Sequence, residues 1–126
     1  MRIWCLRGRR VFIYAGESMT NSRDKGKRGE REVARLLCDA GFMARRGQQF
    51  RGGSDSPDVI CESLPWMHAE VKYREQHNAW EWMTQAAIEM HKDQVPVVFM
   101  RKRRQPWLVV LRFDDFITLA KAKEEK

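Results

Sequence analysis

The residues best suited to chemistry lie in two short motifs, Pro57-Asp58 and Glu70-Val71-Lys72, which eleven residues separate. Both motifs fall on segments patterned like β-strands, in which successive side chains alternate between the two faces of a sheet. Glu70 and Lys72 therefore share a face. If the segments are antiparallel neighbours joined by a turn over residues 62–65, strand pairing brings the Asp58 and Glu70 carboxylates close enough to hold one ion.

Two carboxylates of this kind favour a hard cation. Oxygen ligands without a neighbouring Cys or His cluster suit Mg²⁺ or Mn²⁺ better than Zn²⁺. Lys72 could then orient an attacking water or stabilise the negative charge that develops on a phosphate. The pattern therefore indicates metal-assisted hydrolysis of a phosphodiester. The alternative is an ordinary surface strand, because alternating charges also mark solvated faces.

A third carboxylate, Glu30, is predicted to join this site from a helix. Apolar residues recur at helical spacing over residues 24–40, and Gly41 is a stop signal. Glu30 lies three residues before Val33, at the edge of the buried face, whereas Glu32 is predicted to face solvent. An inward carboxylate needs a partner, which the metal site would supply. The alternative is an acid in the first helical turn that the helix dipole stabilises.

Taken in order, these motifs resemble those of a nuclease family. The motifs are Glu30-Arg31, Arg45-Arg46, Arg51-Gly52-Gly53-Ser54, Pro57-Asp58 and Glu70-Val71-Lys72. They resemble the archaeal-type Holliday junction resolvases, which belong to the PD-(D/E)xK restriction-endonuclease-like superfamily, and the resemblance covers roughly residues 25–116. It implies that Glu30, Asp58 and Glu70 are the acidic metal-site residues and that Lys72 is the catalytic lysine.

The resemblance also implies which residues contact DNA. Arg31 and one of Arg45 or Arg46 would contact the scissile or neighbouring phosphates, and Ser54 would lie in a loop that touches the junction. Arg51 belongs to the same basic loop, which is expected to follow the DNA backbone beside the metal.

A further helix is predicted over residues 78–92, after the E-x-K strand. Several nucleases of the superfamily have a glutamine on this helix, so Gln85 is a candidate contact to a phosphate or a water. An exposed glutamine without a function is the alternative. Gln85 shares a helical stripe with Trp82 and Glu89, whereas Trp80 faces elsewhere, so a single sheet cannot bury both tryptophans.

The remaining pattern completes an α/β domain. Residues 95–100 predict a central strand buried on both faces, residues 107–111 a second strand, and residues 113–123 a packed terminal helix. The basic run at residues 101–104 is either a solvated turn or a phosphate clamp. The expected fold is a restriction-endonuclease-like mixed sheet flanked by helices, in the order α-β-β-β-α-β-β-α.

Composition agrees with a single DNA-binding domain. The 126-residue chain has 24 Lys and Arg against 17 Asp and Glu, a net charge of +7, so a polyanionic partner is expected. Three cysteines without a C-x-x-C pair argue against a zinc or disulfide framework and fit reduced thiols in the cytoplasm. The three histidines show no metal-ligand spacing.

The first residues are interpreted separately, with 1–22 as an N-terminal extension and 23–123 as the nuclease domain. The apolar run at residues 11–15 is too short for a membrane span and lacks a signal-peptide cleavage site. Met19 resembles a natural start before a helix cap, so our hypothesis is that residues 1–18 are disordered or precede the true start. A basic arm that grips DNA is the alternative. An intact mass that includes residues 2–18 would contradict the Met19 start.

The sequence thus predicts a DNA endonuclease. Mg²⁺ or Mn²⁺ would be held by Asp58, Glu70 and the Val71 carbonyl, with Glu30 helping to hold a second ion or a water. Symmetric cutting of a four-way junction requires two active sites and therefore a C2 homodimer. The alternatives are a flap, repair or sequence-specific nuclease of the same superfamily, and a DNA-binding module without catalysis.

Overall fold

The computed structural model describes residues 2–6, 9–13, 22–47 and 57–124, and side chains at 24–47 and 57–124. Within these ranges the chain forms seven strands and three helices. Their order is β1 (Arg2–Leu6), β2 (Arg9–Ile13), α1 (Ser22–Asp39), β3 (Ala44–Arg46), β4 (Val59–Cys61), β5 (Met67–Tyr73), α2 (Ala79–Glu89), β6 (Val95–Arg101), β7 (Leu108–Val110) and α3 (Phe113–Glu124).

The strands form two sheets. β1 and β2 pair antiparallel as a two-stranded sheet, and the other five strands form one sheet in the order β3-β4-β5-β6-β7. β5 and β6 run parallel, while the other neighbours in the larger sheet are antiparallel. The sheet is therefore mixed, and from α1 onward the element order is the predicted one, which confirms the fold. Across the described ranges, no helix has the length and apolar character needed to cross a membrane.

α1 covers one face of the larger sheet. Val33 is buried together with Ala69 and Val71, which point to the same face of β5 because they are two residues apart. Gly29 allows the helix to approach closely, since a Cβ atom at this position would lie 3.0 Å from the Cβ atom of Tyr73. The opposite face of β5 is left to the polar residues of the predicted site.

α2 covers that opposite face. Trp82 of α2 is buried with Val98 and Met100 of β6, and Ala86 is completely buried. Trp80 is 86% exposed. The two tryptophans therefore face in different directions, as predicted, and β6 is covered on both faces.

Glu32 is buried, so the prediction that it faces solvent was wrong. The reason is Arg101, a 2% exposed residue of β6 whose Nη1 atom lies 3.1 Å from Glu32 Oε1. The hydroxyl oxygen of Tyr73 lies 3.2 Å from the same Nη1, and Trp107 Nε1 donates to Glu32 Oε1 at 3.3 Å. A buried, hydrogen-bonded ion pair thus joins α1 to β6, and the basic run that begins at Arg101 starts inside a strand.

The terminal helix forms where it was predicted. No residue of α3 is buried, and Phe113 and Phe116 are 75% and 53% exposed. Leu108 and Val109 of β7 are also exposed. The apolar spacing therefore identified the helix correctly, although Phe113 and Phe116 of its apolar stripe stay exposed.

Candidate active site

Asp58 lies where β4 and β5 separate. The strands pair at Val59 and Ala69, and the Asp58 backbone N–H donates to the Ala69 carbonyl at 3.0 Å. Beyond this point the Asp58 side chain replaces the backbone as the hydrogen-bond partner of β5, because its Oδ2 accepts a hydrogen bond from the Val71 N–H at 2.8 Å. Asp58 therefore immediately precedes β4, although the sequence pattern had placed it in the strand.

Gly47 holds the Asp58 backbone from the β3 side. Its N–H donates to the Asp58 carbonyl at 2.8 Å. A Cβ atom at residue 47 would lie 2.0 Å from the Pro57 carbonyl oxygen, so only glycine fits here without movement of the backbone. The sequence pattern had not identified this role of Gly47.

Glu70 and Lys72 project from β5 toward α2. Lys72 Nζ lies 3.3 Å from Glu70 Oε1 and donates to Gln85 Oε1 at 3.3 Å. Gln85 Nε2 in turn donates to Glu89 Oε1, also at 3.3 Å. The Glu70 and Lys72 side chains are 4% and 14% exposed, so the acid and the amine lie in a largely desolvated environment. The structure thus brings the predicted Gln85 to the predicted lysine.

Burial raises the pKa of both central acids. For Asp58, burial raises the pKa to about 6, against the hydrogen bond from Val71, and the negative charge of Glu30 contributes to the rise. For Glu70, burial raises the pKa to about 7, with a further contribution from Asp58 and an opposing one from Lys72. Two buried acids that repel each other are stabilised by a nearby positive ion. This donor set therefore fits a divalent cation.

Glu30 lies beside the site and is held by Arg46. Arg46 Nε donates to Glu30 Oε2 at 2.6 Å. Arg45, the preceding residue of β3, is exposed, and its Nε lies 3.7 Å from Glu62 Oε1. The neighbouring arginines thus face in different directions, and Arg46 is the one engaged with a predicted site residue.

The remaining predicted DNA contacts are Arg31, Arg51 and Ser54. Arg31 is exposed on α1. Arg51 and Ser54 lie outside the described residues. The structure therefore brings seven of the predicted residues to one region, namely Glu30, Arg46, Asp58, Glu70, Val71, Lys72 and Gln85.

His68 and Glu89 belong to this region but were not predicted as site residues. Ligand atoms of His68, Glu70 and Glu89 all lie within 4.8 Å of one another, the one such group of three among the described residues. The spacing of the histidines along the sequence had not indicated this group. The available signals were the face that His68 shares with Glu70 and the stripe that Glu89 shares with Gln85.

A mixed sheet flanked by helices, with two buried acids and a lysine where two strands separate, defines a restriction-endonuclease-like nuclease domain. The model of a family described as "Phage putative PDDEXK endonuclease" matches residues 21–126. The chain belongs to this endonuclease family, and the resemblance to the PD-(D/E)xK superfamily is confirmed.

Comparison with solved structures and curated proteins adds two findings. The chain is similar to Hjc, a Holliday junction resolvase from the archaeal hyperthermophile Archaeoglobus fulgidus, at 26% identity over 69% of this chain and 72% of that chain, with a TM-score of 0.48. No curated protein sequence matches this chain.

Proposed function

We propose that this endonuclease is metal-dependent and hydrolyses DNA phosphodiesters with Mg²⁺ or Mn²⁺ as its cofactor. The observation that carries the proposal is the pair of buried acids, Asp58 and Glu70, whose pKa values are raised beside the Lys72 amine. Such a pair is poorly stabilised when both members are charged, and a divalent cation would offset this repulsion.

Asp58, Glu70 and the Val71 carbonyl would hold the ion, with Glu30 next to them. The Val71 N–H points toward Asp58, and the N–H and C=O of one strand residue point to the same side of the strand. The Val71 carbonyl therefore also faces the gap between β4 and β5. When bound, a divalent cation lowers the pKa of a coordinated water and stabilises charge on the phosphate.

Lys72 is the residue that we assign to the attacking water and to the developing phosphate charge. Its amine is held between Glu70 and Gln85, and Glu89 fixes Gln85 in turn. A cleft of about 850 Å³ opens beside Lys72 and Gln85, and Lys25 is also among its lining residues. A phosphate of a DNA strand could approach the amine through this cleft.

Arginines around the site are proposed to hold the DNA strand. Arg31 and Arg45 are exposed on α1 and β3, which pack against each other. Arg46, which bonds to Glu30, would act closer to the metal, and Arg51 and Ser54 would contribute from the segment that precedes Pro57. Contacts to phosphates position the strand without reading its sequence.

We propose branched DNA, with four arms at the junction, as the substrate. The proposal is supported by the order and spacing of the motifs from Glu30 to Lys72, which resemble those of the archaeal-type Holliday junction resolvases. Paired cuts require two active sites and thus a homodimer. Exposed apolar side chains between Leu108 and Phe116 offer a surface that a second copy could cover.

The cytoplasm is the proposed site of action. Cys38 and Cys61 are free thiols. Unpaired cysteines are the usual state in a reducing compartment, where disulfides are rare.

Cleavage of labelled DNA tests these proposals. A four-way junction, a flap and a linear duplex of matched sequence are incubated with Mg²⁺, and nicks are mapped on every strand. Paired symmetric nicks in the junction are the expected result. Equal cutting of the linear duplex would rule out junction selectivity, and preferential cutting of the flap would favour a repair nuclease. Binding without cleavage by the wild type would contradict nuclease activity and favour a DNA-binding module.

A further inference from the structure

His68 is a buried histidine with an unexplained ring nitrogen. The residue is 1% exposed, and its Nε2 atom has no hydrogen-bond partner among the described residues. Leaving a buried polar group unpaired costs free energy, so buried polar atoms nearly always have a partner. We therefore expect Nε2 to contact a partner that does not belong to the described residues.

The Gln94 side chain accounts for the other ring nitrogen. The His68 ring makes a hydrogen bond with the Gln94 side chain, and because Nε2 has no partner this bond falls on Nδ1. Gln94 is itself fixed, since it accepts from the His91 N–H at 3.0 Å and donates to the Pro65 carbonyl at 3.2 Å. A neutral ring whose Nδ1–H donates to Gln94 leaves Nε2 unprotonated, which is the form of imidazole that binds metals.

Two carboxylates lie next to the His68 ring. Glu70 projects from β5 two residues beyond His68, and Glu89 comes from the last turn of α2. One ligand atom from each of the three residues lies within 4.8 Å of the others. The three side chains therefore converge from a central strand and the helix packed on it.

We propose that His68, Glu70 and Glu89 form a second divalent-metal site, which prefers a first-row transition ion such as Mn²⁺ or Zn²⁺ to Mg²⁺. Imidazole nitrogen suits ions of borderline softness, whereas Mg²⁺ selects oxygen ligands in a strict octahedral arrangement. Such an ion provides the missing partner of His68 Nε2 and offsets the negative charge of the two carboxylates.

Glu70 lies between this site and Asp58. Its role as a shared ligand rests on the proposed nuclease function, in which Asp58 and Glu70 hold the catalytic ion. The His68 site itself does not depend on that function. If both ions bind, the transition-metal ion would lie next to the catalytic ion, as in two-metal nuclease sites.

NMR of the imidazole nitrogens tests the second site without a cleavage assay. The full chain is labelled with ¹⁵N, stripped of metal and titrated with Zn²⁺. The chain has three histidines, and the exposed His77 and His91 are identified with His77→Gln and His91→Gln variants. We expect Zn²⁺ to shift the His68 Nε2 resonance in the wild type and equally in Asp58→Asn, which lacks only the proposed catalytic ligand.

Glu89→Gln tests the carboxylate partner. Glu89 is partly exposed, and the change preserves its shape, so the fold should be retained. Loss of even an outer-shell metal partner costs about 10–100-fold in affinity, so we expect at least about tenfold weaker Zn²⁺ binding by calorimetry. The matched control is Glu81→Gln, an exposed residue of the same helix, which should bind Zn²⁺ as the wild type does.

Two results would overturn the second site. One is a His68 resonance that Zn²⁺ leaves unshifted in the folded wild type, and the other is wild-type Zn²⁺ affinity in Glu89→Gln. Because neither measurement includes DNA, a lack of nuclease activity would not affect them. Conversely, failure of the His68 site would leave Asp58 and the proposed nuclease function untouched.

Discussion

The Asp58 carboxylate accepts a hydrogen bond from the Val71 backbone N–H at 2.8 Å and so takes the position of a strand carbonyl. Because the donor is satisfied, β4 and β5 can separate here without leaving an unpaired buried N–H group. The same bond holds the Asp58 carboxylate near Glu70, and the negative charge of Asp58 raises the pKa of Glu70. One contact thus ends the strand pairing and positions a predicted metal ligand.

The close approach of Gly47 to Pro57 predicts that Gly47→Ala disturbs the metal site. The added Cβ atom would lie 2.0 Å from the Pro57 carbonyl oxygen, so the backbone that carries Asp58 must move. We expect divalent-metal affinity to fall about 10–100-fold, as for loss of other groups that orient a ligand. Calorimetry with Mn²⁺ measures the change, and unaltered affinity would contradict the role assigned to Gly47.

Gly26→Ala is the matched control for that variant. A Cβ atom at residue 26 meets nothing within 4 Å. Because glycine inside a helix is less favourable than alanine by roughly 0.5–1 kcal/mol, this substitution should leave metal binding unchanged and slightly stabilise α1.

The raised pKa values predict how stability without metal depends on pH. Burial raises the pKa of Asp58 from 3.8 to about 6 and that of Glu70 from 4.5 to about 7. The folded state therefore holds these protons more tightly than the unfolded state does. Their stabilising contribution is complete below pH about 4 and is lost as the pH rises to about 7.

Asp58→Asn isolates the contribution of one acid. The variant cannot acquire the buried charge, and its amide oxygen can still accept the Val71 N–H. The free energy of unfolding of the variant relative to the wild type should therefore increase between pH 4 and 7. Urea unfolding in EDTA measures this difference, and a value independent of pH would contradict a raised pKa at Asp58.

The buried ion pair between Glu32 and Arg101 predicts a large effect on stability. Removing one partner leaves a buried charge uncompensated, which typically costs about 3–5 kcal/mol. We expect losses of this size for Glu32→Gln and Arg101→Met, and recovery of part of the loss in the double variant. Denaturant unfolding measures each variant.

Glu62→Gln provides the comparison for an exposed ion pair. Glu62 pairs with Arg45 at 3.7 Å, and both side chains are more than half exposed. The expected loss is below about 1 kcal/mol. Equal losses for Glu62→Gln and Glu32→Gln would contradict the structural role of the buried pair.

The residues that sequence reasoning placed correctly are those with local patterns. The alternation around Glu70 and Lys72 and the helical spacing around Val33 depend only on near neighbours, so strand, helix and site face could be predicted. The pair of Glu32 and Arg101 could not, because they lie 69 positions apart in the sequence and each resembles a surface charge in its own segment.

Glu89 illustrates the same limit at the site. Its helical stripe was evident, but its approach to His68 depends on how α2 crosses β5, which no local pattern specifies. The exposure of Phe116 on α3 is a similar case, since apolar spacing identifies a helical face without identifying what covers it.

Lys72→Gln separates chemistry from metal binding. The variant loses the positive charge held between Glu70 and Gln85, so we expect DNA cleavage to slow about 10²–10³-fold, as for removal of other groups that stabilise transition-state charge. Metal affinity should be equal or higher, since a cation next to Glu70 is removed. Lys92→Gln, at an exposed lysine, serves as the control, and wild-type cleavage by Lys72→Gln would contradict the catalytic assignment.

The most direct test compares metal-dependent DNA cleavage by the wild type and Asp58→Asn, with DNA binding measured for both. We predict that the wild type cuts labelled four-way junctions with Mg²⁺ or Mn²⁺ but not in EDTA. Asp58→Asn should bind the same DNA and cut it at least about 100-fold more slowly, the effect of about 3 kcal/mol of lost metal stabilisation. Cleavage by Asp58→Asn at the wild-type rate, or cleavage that persists in EDTA, would contradict a metal centre built on Asp58 and Glu70.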